Sequence, residues 1–406
     1  MKLRLVCLLA FALAVQPAFA APALEKVLIL ERHGVRPPTK PPEAFAKYSA
    51  EPWPQWPAAP GELTPHGIEA MRAMGAGLRA RYASLLSGTC PSPSSVFVWA
   101  DNADQRTRES GKAIAAQLAP GCEIAAQWAP MGSHDPLFHS GGQCHIDAQA
   151  AASQLSVRFD TMMKTDGARY ARALATLNQI LKPDCAGDAC PLTGSTHVSA
   201  SGKLEGPLST AATLSENLLL EYTEGMPDKN VGWGRAASAE KIAAVMPLHE
   251  IDADLTRTTP LLAARSGSLL AQQIAEFLGA PKRDAKLAPL PADARFVLLL
   301  GHDTNLSNIA GLLGVSWHLP EQPDSTAPGT ALAFEIWKDR GHETVRVVVL
   351  YQTLEQLRSA APLGGGPKHV DVSVPGCSKR GCAPEALAAH LMRAIPPQCI
   401  TQSLEK

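Results

Sequence analysis

Several absences narrow this sequence before any motif does. Charge of one sign is never in excess: 37 Lys and Arg stand against 38 Asp and Glu, a formal net charge of −1. A general nucleic-acid binder would carry a basic surplus, so that class is set aside. No Cys-x-x-Cys pair occurs, which removes the usual cysteine signature of a structural zinc site. No internal repeat is visible, which speaks against a solenoid or propeller. Beyond residue 20, no run is apolar enough to span a bilayer, so no membrane partner is expected.

What is present begins with "MKLRLVCLLAFALAVQPAFA". Lys2 and Arg4 precede an apolar run, and Ala18-Phe19-Ala20 supplies an A-x-A cleavage pattern. Residues 1–20 are therefore expected to be a secretory signal peptide. The residue before Cys7 is Val6, which is not the small residue of a lipoprotein signal. Cleavage would leave 386 residues with a charge of −3, enough for one large or two ordinary domains. It would also leave eight cysteines: Cys90, Cys122, Cys144, Cys185, Cys190, Cys377, Cys382 and Cys399. An even count in an exported chain implies four disulfides, with 185/190 and 377/382 spaced as local clips. Spacing leaves the other pairings open. Export implies a periplasmic or secreted location.

Three segments share one pattern, an apolar run that ends abruptly in charge. "KVLILERHG" ends at residues 31–33, "SVFVWADNADQRTRES" reaches Asp101, Arg106 and Arg108, and "RFVLLLGHDTN" ends in His302 and Asp303. Short unbroken apolar runs suit strands buried on both faces. Helical patterns follow each: Thr64 as N-cap with Pro65 at the first position, then Ile114 and Leu118, then a helix starting near Asn305. "ALAFEIW" and "TVRVVVLYQ" read as a hairpin completing the sheet. Residues 145–258 are Ala/Leu-rich and read as helical. The expected architecture is α/β: a mixed sheet flanked by helices in residues 21–144 and 259–406, with a smaller helical lobe, 145–258, inserted. "EPWPQWPAAPG" reads as a surface loop.

Ligands of open α/β sheets bind beyond the carboxyl ends of the strands. Three strands here deliver Arg32, His33, Arg36, Arg106, His302 and Asp303 to that edge. Arginine forks match phosphate oxygens and can hold charge that develops during phosphoryl transfer. A neutral histidine among them is a candidate nucleophile, and an acid such as Asp303 could protonate the departing oxygen. Of Arg106 and Arg108, one should face the site and the other make a scaffold ion pair. "SHDPLFHSGGQCHID" offers His134, Asp135, His139 and His145, but their spacing fits no familiar metal site. No metal or cofactor is expected, because the arginines already supply positive charge.

"RHGVRPPTK" together with "GHDTN" resembles the histidine acid phosphatase family, and its bacterial phytase branch most. "DNADQRTRESGKAIAAQLAPGC", "DPLF", "EGMP" followed by "GWGR", and "HDTNLSNIAGLLGVSWHLPEQPDSTAPG" extend the resemblance across nearly the whole mature chain. The resemblance implies that His33 is the nucleophile and Asp303 the proton donor. It implies that Arg32, Arg36, Arg106 and His302 bind phosphate, and that Thr39, Lys40 and Glu216 line the substrate pocket. It further implies the pairs Cys90–Cys122, Cys144–Cys399, Cys185–Cys190 and Cys377–Cys382.

The implied function is an exported acid phosphomonoesterase, a phytase hydrolysing inositol polyphosphates through a phosphohistidine. Its partner would be a small phosphomonoester, and the enzyme a monomer. A glucose-1-phosphatase or broad-specificity acid phosphatase is the alternative. A phosphoglycerate mutase-like enzyme is disfavoured by the signal peptide and cysteines. A non-catalytic anion binder is disfavoured by the complete set of His33, His302 and Asp303.

Overall fold

The structure is a computed structural model that describes residues 21–86, 90–92, 94–139, 144–199, 201–282, 288 and 290–400. The expected signal peptide lies outside the described residues.

Nine strands are described, seven of them in one sheet. These are β1 (Ala23–Arg32), β2 (Val96–Ala100), β3 (Ala126–Gln127), β6 (Phe296–Gly301), β7 (Ala331–Asp339), β8 (His342–Tyr351) and β9 (Lys368–Val372). Their order is β3-β2-β6-β1-β7-β8-β9. The first four are mutually parallel, and β7, β8 and β9 complete the sheet as antiparallel neighbours. The sheet is therefore mixed, and the expected hairpin is β7–β8. A small separate ribbon pairs β4 (His197–Val198) with β5 (Leu204–Glu205).

The register of the parallel strands builds the site edge. Arg32 lies opposite Gly301, and Ala100 opposite Leu300. The ladder runs one step further: His33 donates its N–H to the Gly301 carbonyl at 3.0 Å, and Asp101 to the Leu300 carbonyl at 2.9 Å. Arg32-His33, Asp101 and His302 consequently emerge side by side.

Because side chains alternate along β1, its two faces feed two cores. Leu28 and Leu30 join Val297, Leu299 and Phe334 beneath α8 (Pro260–Phe277), α9 (Asp303–Leu313) and α11 (Pro384–Ala394). Val27 and Ile29 join Val98, Leu298 and Leu300 beneath α1 (Pro65–Arg81), the short α2 (Ala83–Leu86) and α3 (Gln105–Leu118). A third core fills the helical lobe of α4 (Ala148–Leu181), α5 (Pro207–Thr223), α6 (Ala239–Val245) and α7 (Pro247–Arg257). Leu354 of α10 (Leu354–Ser359) also enters it, as do Phe45 and Trp53. The tryptophan-rich loop is thus more than surface: Trp53 is buried and packs edge-on to Trp233, ring centroids 4.9 Å apart.

Thr64 caps α1 as its sequence suggests, accepting from the Gly67 N–H at 2.8 Å. Helix α9 starts at Asp303, two residues before the expected Asn305. The reason is that His302 is the N-cap and the Asn305 side chain accepts the His302 N–H at 2.9 Å. All four implied disulfides are formed, and Cys144–Cys399 spans 255 residues of sequence.

Candidate active site

His33 is buried, and its Nδ1 lies 2.8 Å from the Gly34 carbonyl oxygen. That oxygen can only accept, so Nδ1 carries the proton and Nε2 keeps its lone pair. Burial first, and then the charges of Arg106, Arg36 and Arg32, hold His33 well below the ordinary histidine range. Both effects favour the neutral ring. His302 stands edge-on to it, ring centroids 5.5 Å apart.

The backbone around His33 is packed too closely for a larger residue at position 34. A Cβ on Gly34 would meet Met71 Cγ at 2.6 Å and the Gly67 carbonyl at 3.0 Å. The Gly34 N–H is fixed by Ser110 Oγ at 3.0 Å, which ties the turn to α3.

Three arginines surround the ring. Arg32 is fully buried; it donates to the Thr326 carbonyl at 2.6 Å, pairs with Glu216, and lies 3.5 Å from Asp324 Oδ2. Arg36 donates to the Pro37 carbonyl at 3.1 Å and sits 3.6 Å from Glu216 Oε1. Arg106 donates to the Gly61 carbonyl at 3.2 Å and to Asp104 Oδ2 at 2.8 Å, and its Nη2 lies 3.5 Å from His302 Nδ1. Arg108 makes no ion pair among the described residues. It donates instead to the Asn102 carbonyl, which corrects the expected scaffold pair.

His302 donates from Nε2 to Asp101 Oδ2 at 2.7 Å. The same oxygen accepts from His139 Nε2, also at 2.7 Å. Asp303 opens α9, and its Oδ2 accepts from Arg257 at 2.6 Å. Burial opposes its ionisation, but Arg257, Arg32 and His249 outweigh burial and hold Asp303 well below the usual carboxylate range. Behind it, His249 sits 4.0 Å from Asp303 and 3.6 Å from Asp324. Burial would lower its pKa, yet Asp324 raises it to about 9, which favours the protonated imidazole.

Of the residues expected from sequence, the structure brings Arg32, His33, Arg36, Arg106, Glu216, His302 and Asp303 into one cluster. Thr39 lies beside Gly61, the residue whose carbonyl holds Arg106. Lys40 is exposed, along a groove that Pro38, Trp53 and Trp56 also line. Arg257, His249 and Asp324 were missed, since they come from a helix end and a loop with no local pattern. Asp101 carried the same strand-end signal as His33 and His302 and could have been found from it.

His134, Asp135, His139 and His145 do not assemble as one metal-binding group among the described residues. His139 instead joins Asp101, Asp104 and His302, whose ligating atoms lie within 4.8 Å of one another. Glu216, His249 and Asp303 form a second such group. Most of these atoms are committed to hydrogen bonds or ion pairs with one another and with the arginines.

The Histidine phosphatase superfamily (branch 2) pattern matches residues 23–350, and the chain belongs to that family. It is 35% identical over 383 residues to phytase AppA of Escherichia coli (strain K12), covering 88% of each chain. It is 26% identical over 373 residues to a glucose-1-phosphatase of Providencia rettgeri, covering 87% of each. Among solved structures, Hafnia alvei phytase in complex with myo-inositol hexakis sulphate superposes with a TM-score of 0.85 at 36% identity, over 95% of this chain and all of that one.

Proposed function

We propose that the protein is an exported acid phosphomonoesterase that hydrolyses inositol polyphosphates through a phosphohistidine on His33. The observation that carries this is the lone pair of His33 Nε2, held unprotonated among three arginines and His302. In this reading Nε2 attacks phosphorus, the P–O bond to the leaving group breaks, and Arg32, Arg36, Arg106 and His302 hold the transferring oxygens. Asp303 gives its proton to the leaving oxygen. It then takes a proton from the water that cleaves the phosphohistidine.

The ion pair with Arg257 favours the ionised form of Asp303. A substrate phosphate competes for Arg257 and Arg32 and brings negative charge, both of which raise the Asp303 pKa. The α/β lobe, 21–144 and 259–406, supplies the chemistry in this reading, and the helical lobe, 145–258, supplies Glu216, His249 and Arg257.

Inositol polyphosphate is favoured over glucose-1-phosphate because Lys40, near Thr39, adds an exposed ammonium that a substrate carrying further phosphates can use. The 35% identity to a phytase, against 26% to a glucose-1-phosphatase, points the same way. The four disulfides and the expected signal peptide support export to the periplasm or beyond.

The test is a rapid quench of enzyme with labelled substrate into alkaline denaturant, where a phosphohistidine survives, followed by kcat/KM on phytate, glucose-1-phosphate and p-nitrophenyl phosphate. An acid-labile phosphoenzyme is expected in the wild type and none in His33→Ala, which should still bind phosphate. Near-normal turnover by His33→Ala would overturn the mechanism. A clear preference for glucose-1-phosphate would overturn the substrate.

A further inference from the structure

We infer that His139 is a positioning residue that governs the charge of His302 through the one carboxylate oxygen the two imidazoles share. The inference rests on His302 being a phosphate ligand, as proposed above.

Asp101 Oδ2 accepts from His302 Nε2 and from His139 Nε2, each at 2.7 Å. The carboxylate itself is fully buried, and its other oxygen takes the Ala103 N–H at 3.1 Å. His139 differs from both: its side chain is 40% exposed. One end of the chain His139–Asp101–His302 therefore exchanges protons with solvent, while the other faces the anion site. The two rings are 5.6 Å apart.

Among the described residues, the charged and titratable groups around His139 come from three elements and its own loop. Asp101, Asp104 and Arg106 come from the end of β2 and the start of α3. His302 comes from the end of β6. His134, ring centroid 6.3 Å away, and Asp135 share its own loop. Asp104 is paired with Arg106, and Asp135 accepts from Trp99 Nε1 and from the Leu137 N–H. Among the described residues, Asp101 is the side-chain hydrogen-bond partner of the His139 ring, while the His139 backbone N–H donates to the Asp135 carbonyl at 3.3 Å. The bond to Asp101, opposed by burial, raises the His139 pKa above the ordinary value.

A single oxygen cannot neutralise two imidazolium ions. While His139 is charged, it weakens the hold of Asp101 on a proton at His302. At this ring separation, half in solvent, the coupling corresponds to roughly half to one pH unit. His302 must be cationic to complete the positive set around a phosphate, so the coupling sets the upper edge of the working pH range.

The experiment is the pH dependence of kcat/KM on p-nitrophenyl phosphate, with a chelator present. Wild type is compared with His139→Gln, which removes the charge but keeps a donor, and His139→Lys, which makes the charge permanent. The alkaline limb should move up by roughly half to one unit in His139→Gln and down by a similar amount in His139→Lys. A residue that merely packs would move both variants the same way. Shifts of one sign in both, or no shift in His139→Gln, would overturn the inference. The phosphoenzyme trap on the wild type separates the two readings: if no phosphoenzyme forms, the proposed function fails irrespective of the variants.

Discussion

At the scale of the residue, Asp303 offers the sharpest test. Its carboxylate is held by Arg257 at 2.6 Å, so any acid role depends on what the substrate does to that pair. Inositol and sugar alkoxides are strongly basic and leave poorly unprotonated, whereas nitrophenolate leaves unaided. Asp303→Asn keeps the shape and loses the proton. We expect a loss of about 10²–10⁴-fold on phytate and much less on p-nitrophenyl phosphate, read by single turnover. Inhibition by inorganic phosphate should not weaken, since a negative charge has left the anion site. Equal losses on both substrates would make Asp303 an organiser and assign the acid elsewhere. Arg32, His33 and Arg36 were legible because they fall within five residues at one strand end, and His302 and Asp303 because they adjoin at another. Arg257 and Asp324 were not, because each reaches the site only through tertiary packing. Asp324 stands in a segment that carried the resemblance, but no charge pattern there or around Arg257 marks either as a site residue.

At the scale of the element, the site depends on how α1 meets the turn after β1. A Cβ at residue 67 would lie 2.3 Å from the Val35 carbonyl oxygen, well inside contact distance. Gly67→Ala must therefore drive the start of α1 and the Gly34–Arg36 turn apart by nearly an ångström. Misplacement on that scale costs on the order of 10²-fold in rate, and overpacking destabilises by roughly 1–3 kcal/mol. We expect kcat/KM to fall by about two orders of magnitude, with a Tm drop too small to explain it. Unchanged turnover would show that the turn holds His33 without α1. Elements were read best where pattern and end signal agreed, as in the apolar strands and at Thr64-Pro65. The start of α9 was misjudged because His302 serves as cap and site residue at once. The role of Trp53 was invisible because its partner, Trp233, lies 180 residues away along the chain.

At the scale of the whole molecule, apolar patterning foreshadows the two kinds of core, but the balance of buried charge emerges only once they are packed. Two opposing sets of ionisable groups fix the pH of greatest stability. Glu221 is buried in the helical lobe, accepts the Gly232 N–H at 2.8 Å, and is pushed up to about 8 by burial. Burial likewise raises Glu250, to about 7, and Glu31, well above the ordinary range. A carboxyl raised in the folded state contributes stability that is complete below its unfolded pKa, near 4.5, and fades as pH climbs to the folded value. His249, raised to about 9, acts in the same direction between the ordinary histidine value of 6.5 and that pH. Asp101, Asp303 and Asp324 are shifted downward, burial being outweighed by their hydrogen bonds and cationic partners. Their contribution is complete above an unfolded value near 3.8 and fades as pH falls below it. His33, held down by burial and the arginines, adds a contribution that fades below 6.5, so the two trends oppose each other between about pH 4.5 and 6.5, and Tm should peak in that interval. Tm should then decline steadily toward pH 8, a tenfold change in proton affinity corresponding to roughly 1.4 kcal/mol. Glu221→Gln cannot ionise and keeps an acceptor for Gly232. It should flatten the decline between pH 6.5 and 8 while leaving Tm at pH 5 nearly unchanged. A wild-type Tm that is level from pH 6.5 to 8 would mean these acids find water or cations on ionising. An unaltered slope in Glu221→Gln would move the cause to Glu31, Glu250 or His249.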